Sequence, residues 1–262
     1  MPELWCPIAI RLDGPASKTG YNGIQKTHAK VGVVLHTMEY ESTPEWNDAT
    51  TLRNALFSSR EASWTFSICK FMNGAILFQH YPLDAVCWAQ GYLGNLWLIG
   101  IETEGIAPGK FTEAQYELLV KLLRWLKEAQ GWKKWDGIGE RGFMLDLAPK
   151  DRSTWLYEHN AVPGAPATNC AVFTHQQVDS ARLLADLKGG DTMTDADRAW
   201  VMQFSGGIKL IKGGPPTVYV VDHRGKRPFP GGPTEFLKVG FDWDNVIRLP
   251  DTVIGAIPNA QM

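Results

Sequence analysis

The chain has 262 residues, 44% of them hydrophobic, enough for a substantial core in one large domain or two smaller ones. A formal charge of −2 gives no electrostatic case for nucleic acid or an anionic membrane surface, so neither is expected as a partner. Four cysteines at wide spacings, with no CxxC pair, exclude a zinc ribbon and a dense disulfide framework.

The opening stretch MPELWCPIAIRLDGP lacks a basic region followed by an apolar run, so no secretory signal is expected. No run approaches the ~18 apolar residues of a membrane span, so no membrane insertion is expected either. Residues 31–37, VGVVLHT, form a continuous β-branched run suited to a strand buried on both faces. A helix is expected over roughly residues 44–59. In residues 65–81, Asn73-Gly74 separates two apolar runs, a strong hairpin signal. Residues 96–103, LWLIGIET, read as another buried strand. Thr112-Glu-Ala-Gln115 is a capping-box signature for a helix that Gly131 stops, with Tyr116, Leu119, Val120, Leu123 and Leu126 on its buried stripe. Residues 154–159 read as a short strand, and Thr174-His-Gln-Gln177 as the start of a helix through Leu187. The fold class is therefore α/β, a mixed central sheet flanked by helices.

After Leu187 the character changes. KGGDTMTDADR reads as a linker, glycine and proline become frequent, and VYVVD is the one clear strand. This places a domain boundary near residue 190, with a small accessory domain over 191–262.

His36 and His159 both fall at the carboxyl ends of predicted strands, where sites gather in open α/β sheets. An irregular loop, NAVPGAPATN, leads from His159 to Cys170. Two imidazoles and a thiolate would leave tetrahedral zinc one open position for water. Taken singly, strand-end histidines are ordinary hydrogen-bonding residues and a lone cysteine is an ordinary small apolar group. His28, His80, His175 and His223 show no partner pattern and read as surface.

The order of motifs is more specific. VVLHT, SWTF followed by NGAI, CWAQGYLGNLWLIGIETEG and EHNAVPGAPATNC together resemble the zinc-dependent N-acetylmuramoyl-L-alanine amidases of type 2, over about residues 28–188. That family includes bacteriophage amidases and peptidoglycan-recognition proteins. The resemblance implies Zn2+ held by His36, His159 and Cys170, and hydrolysis of the amide joining N-acetylmuramic acid to L-alanine of the stem peptide. It implies Glu102 as general base, although strand alternation places Glu104 on the same face and spacing alone does not choose between them. Thr168, two residues before the closing ligand, is implied as an oxyanion donor; the alternative is that it merely satisfies its own loop. Trp64 stands where many members carry a catalytic tyrosine, and an indole offers only an N–H donor. Trp64 is therefore expected beside the substrate rather than in the chemistry. Trp88 and Asn95 are expected as substrate-binding cleft wall and loop anchor, and Ala89 departs from a frequent family histidine.

Residues 217–258 resemble a short module of actinobacterial and actinophage surface-active proteins. Its Phe229, Phe236, Phe241 and Trp243 suit either a mini-core or a sugar platform. The resulting expectation is a monomeric endolysin acting on bacterial peptidoglycan, made in the host cytoplasm and released with a holin, or else carried on the phage particle. The alternatives are a noncatalytic peptidoglycan-binding protein and a cytosolic amidase that recycles wall fragments.

Overall fold

The structure, a computed structural model, describes residues 4–20, 23–27, 30–38, 56, 58–71, 74–106, 108–139, 153–166 and 168–189, and four strand segments in the last quarter of the chain. Seven strands form the main sheet: β1 (Ile10–Arg11), β2 (Gly32–Thr37), β3 (Phe66–Phe71), β4 (Gly74–Gln79), β5 (Leu98–Thr103), β6 (Lys134–Gly139) and β7 (Ser153–Glu158). Their order is β1-β4-β3-β5-β2-β7-β6. The β3–β4 hairpin is antiparallel and every other pairing is parallel. The expected mixed sheet flanked by helices is present.

β2 is central, and its sequence explains why. Val33 and Leu35 pack into the larger core with Phe66, Ile99 and Ile101, while Val34 faces a second cluster with Leu98, Tyr157 and Val162. A strand covered on both faces needs apolar residues at successive positions, which VVL supplies. Beside it, α1 (Gly91–Trp97) runs directly into β5, so Leu96 and Trp97 end a helix rather than begin the strand.

The long helix α2 (Glu113–Gln130) carries the predicted capping box: Gln115 N–H donates to Thr112 Oγ1 at 3.2 Å, and Thr112 N–H to Gln115 Oε1 at 3.0 Å. Tyr116, Leu119, Val120, Leu123 and Leu126 are all buried, as the stripe required, and Trp125 meets Phe66 edge-to-face at 6.3 Å. Gly131 closes the helix at φ 66°, the left-handed conformation glycine tolerates.

The last helix of this unit, α3 (Ser180–Gly189), starts later than Thr174. Gln176 adopts φ 54°, which interrupts a helix, and Asp179 Oδ1 caps the new start by accepting from Arg182 N–H at 3.0 Å. The expected helix over 44–59 lies outside the described residues apart from its last few positions. In the tail, β8 (Lys209–Lys212), β9 (Val218–Asp222), β10 (Gly225–Pro228) and β11 (Ile247–Arg248) form a second sheet of order β10-β9-β8-β11. The VYVVD strand is thus joined by three others; the four tail aromatics lie outside the described residues.

Candidate metal centre and active-site cleft

β2, β5 and β7 run parallel, so their carboxyl ends open on one edge of the sheet. The register pairs His36 with Glu102 across β2 and β5, and Leu35 with Glu158 across β2 and β7. One residue beyond that ladder, His159 opens a short 3-10 turn beside His36. The imidazoles meet edge-to-face with centroids 5.0 Å apart and Nδ1 atoms 3.1 Å apart. Cys170 completes the group, and one ligand atom from each of the three side chains lies within 4.8 Å of the others. All three residues are buried.

Each donor is held by a neighbour. Thr37 N–H donates to Cys170 Sγ at 3.0 Å, and Gln90 Oε1 lies 3.2 Å from His36 Nε2. Burial, reinforced by His159, pushes the His36 pKa down to about 3, against the Gln90 hydrogen bond that favours the charged form. Burial likewise lowers that of His159, opposed by the Pro166 carbonyl. Both rings are therefore neutral at neutral pH and keep a lone pair for a cation. Tetrahedral zinc with N and S ligands holds donor atoms about 3.5 Å apart. Here the two Nδ1 atoms are 3.1 Å apart, and the three side chains bring one ligand atom each within 4.8 Å of one another. The donor set fits that ion.

The loop to Cys170 is fixed at both ends. Glu158, 7% exposed, accepts from Phe173 N–H and Thr174 N–H at 2.9 Å each and from the Thr174 hydroxyl at 2.5 Å. It ties the strand end that carries His159 to the segment just past Cys170; the sequence placed it at the head of the EHNAVPGAPATNC motif without giving it a role. Asn160 clamps the middle, accepting from Thr168 N–H at 3.0 Å and donating to Thr168 O at 2.8 Å.

A cleft of about 230 Å³ opens over the three donors, lined also by Arg60, Trp64, Trp88, Ala89, Glu102 and Thr168. Glu102 Oε2 lies 4.0 Å from His36 Nδ1. Glu104 is elsewhere: β5 ends at Thr103, and the buried Glu104 carboxylate accepts from Lys70 N–H at 2.6 Å. The alternation expected to put both glutamates on one face stops with the strand. Thr168 Oγ1 accepts from Cys170 N–H at 2.8 Å, so its loop role and its place in the cleft coexist.

Trp64 is nearly buried, and its indole N–H donates to Ser67 Oγ at 2.7 Å. Ser67 Oγ in turn lies 2.7 Å from His80 Nε2, whose Nδ1 is 2.9 Å from Leu12 O. His80 is thus 2% exposed, not a surface residue as expected. Its imidazole is spent on orienting the hydroxyl that receives Trp64. Trp88 lines the cleft with its N–H on Gly20 O at 2.5 Å. Asn95 does not line the cleft. Its Oδ1 accepts from Ala89 N–H at 3.1 Å and Gln90 N–H at 3.0 Å, the contacts of a loop anchor. Arg60, a loop residue the sequence did not single out, brings a cation to the rim. His175 is half-buried away from the cleft, and His28 and His223 lie outside the described residues.

No curated protein matches this chain in sequence. Among solved structures, it is similar to the N-acetylmuramoyl-L-alanine amidase LysC from Clostridium intestinale, with a TM-score of 0.44 and 18% identity over 69% of this chain and 97% of that one. A selenomethionine derivative of AmpD gives 0.45 and 17%, covering 70% and 96% of the two chains. The Staphylococcus aureus hydrolase AmiA in complex with its ligand gives 0.42 and 15%, covering 66% and 83%. A family model described as N-acetylmuramoyl-L-alanine amidase matches residues 26–170, more than half of the chain and the whole span from the approach to β2 through Cys170. This chain belongs to the N-acetylmuramoyl-L-alanine amidase family and is a peptidoglycan amidase.

Proposed function

We propose that this peptidoglycan amidase is zinc-dependent, with the ion held by His36, His159 and Cys170, and that it works as an endolysin. The observation that carries the reading is the meeting of three neutral or soft donors within 4.8 Å at the floor of a cleft that also holds a carboxylate. Bound zinc supplies Lewis acidity, polarising the scissile carbonyl and lowering the pKa of water.

The protein's own residues do the rest. Glu102 takes the proton of the attacking water and returns it to the amine that leaves with L-alanine. Thr168, whose oxygen already accepts from Cys170 N–H, keeps its hydroxyl hydrogen for the developing oxyanion, as one uncharged donor. Trp64 and Trp88 have both N–H groups committed inside the protein, so each offers ring surface to the glycan and no acid–base group. Trp64 therefore does not replace a catalytic phenol, and the proton work rests on Glu102. The full donor set beside that carboxylate favours catalysis over the noncatalytic binding alternative.

In this reading residues 191–262 are a wall-binding module joined to a monomeric amidase domain. Digestion of purified peptidoglycan tests the bond assignment. New L-alanine amino termini without new reducing sugar ends are expected; new reducing ends, or no soluble product, would contradict it.

A further inference from the structure

Gln90 sits between Ala89 and Gly91 in the motif before α1, and its side chain is fully buried. Its Nε2 donates to Gly94 O and to Leu98 O, both at 3.1 Å. Those two carbonyls settle which way the amide points, because an oxygen in the Nε2 position would face two acceptors. Oε1 is thereby aimed at His36 Nε2, 3.2 Å away. A carbonyl oxygen accepts but does not donate, so the ring nitrogen opposite it must carry the proton. His36 Nε2 is the N–H, and Nδ1 keeps the lone pair that faces His159 Nδ1 and the cleft.

Two glycines make room for this amide. A Cβ at Gly100 would stand 2.7 Å from Gln90 Oε1, and one at Gly94 would stand 2.5 Å from Gln90 Cγ. Asn95 fixes the backbone beneath by accepting from Gln90 N–H. The whole α1 turn thus builds a socket whose single outward product is one acceptor atom at one histidine nitrogen.

We propose that Gln90 is the positioning residue that sets the His36 tautomer, presenting Nδ1 as the ligand atom. The proposal rests on the zinc reading above for its consequence, but the tautomer itself belongs to the metal-free protein. Outer partners that fix a ligand ring typically weaken metal binding ~10–100-fold when removed.

The test uses the full chain, wild type and two variants. Gln90→Met removes the acceptor and both donors; Gln90→Glu keeps an acceptor at the ring and loses the donors to Gly94 O and Leu98 O. Zinc affinity is measured by competition with a chromophoric chelator, and stability by thermal denaturation of metal-free protein. Long-range 15N spectra of the imidazoles report the tautomer directly. Expected are an Nε2–H tautomer for His36 in wild type, a mixed population in Gln90→Met with zinc affinity down ~10–100-fold, and affinity within a few-fold of wild type in Gln90→Glu although both variants lose stability.

A purely structural residue would weaken both variants alike in zinc affinity, and that result overturns the proposal. So does an Nδ1–H tautomer in wild type, which is read even where Gln90→Met does not fold. Failure of the wild-type chain to bind zinc while His36 shows the Nε2–H tautomer would instead sink the zinc reading and leave the positioning of the ring standing.

Discussion

His36 Nδ1 and His159 Nδ1 face each other across 3.1 Å inside the protein, one from the end of β2 and the other from the turn after β7. At that separation two neutral imidazoles share one ring N–H as a hydrogen bond, and a bound cation would take the place of that proton. Cys170 Sγ arrives at the same point from the loop, already accepting Thr37 N–H. The first prediction follows: Cys170→Ser should weaken zinc binding at least ~10-fold, because a hydroxyl is a poor substitute for a thiolate. Metal content after dialysis checks it, and a serine variant that retains zinc at unchanged affinity removes Cys170 from the site.

The two glutamates should separate cleanly. Glu102→Gln keeps shape and zinc but lacks the proton acceptor, so turnover falls ~100-fold or more. Glu104→Ala strips a buried acceptor from Lys70 N–H and should cost about 1–3 kcal/mol of stability with little change in turnover per folded molecule. A larger catalytic loss at Glu104 than at Glu102 would transfer the role of base.

Glu158 holds three donors from the segment that follows Cys170. Glu158→Ala leaves those groups without their acceptor and frees the loop. Both a stability loss of about 1–3 kcal/mol and weaker zinc binding are expected, since the loop positions a ligand. Denaturation and chelator competition on the same sample check it; stability loss with unchanged zinc affinity would restrict Glu158 to the fold.

His80 gives a pH signature. Burial, opposed by its bond to Leu12 O and by Asp13, lowers its pKa from 6.5 to about 4. The unfolded chain therefore binds a proton between pH 6.5 and 4 that the folded protein refuses, and stability drops as pH falls through that window. His80→Gln should flatten this part of the stability profile, whatever its effect at pH 7. An unchanged slope would mean that His80 titrates alike in both states.

Removal of residues 191–262 should weaken sedimentation with intact walls while sparing turnover of small soluble muropeptides. Tethering two sites on one polymer raises effective concentration without altering either site's chemistry. Loss of thermal stability on truncation, with no wall binding by the tail, would make the tail a scaffold.

What the sequence made legible were the features with a local physical cause. A continuous VVL run has to be buried on both faces, two apolar runs around Asn73-Gly74 call for a hairpin, and Thr112 with Gln115 caps a helix; the buried strand, the antiparallel β3–β4 pair and the cap all stand in the structure. The meeting of His36, His159 and Cys170 was legible from motif order alone, as their wide separation along the chain carries no spacing signal. Less legible was whatever depends on partners distant in sequence. α1 contains Gly91 and Gly94 and has no helical pattern of its own, being held by Gln90 and Asn95. β6, KWDGIG, has a register shift between Trp135 and Gly137 that spoils alternation. Glu104 leaves the expected face because the strand ends one residue earlier, and His80 is buried by a hydrogen-bond chain that no spacing announces.

Hydrolysis is expected to need zinc at the His36–His159–Cys170 site. The most direct test is turnover of a soluble muropeptide, followed by mass spectrometry, before and after chelation and during stepwise return of zinc. Activity should vanish with the metal, return in proportion to zinc up to one ion per chain, and fail to return in Cys170→Ser at the same concentrations. Undiminished cleavage by the metal-free protein, or zinc-restored wild type that cleaves nothing, would contradict the account.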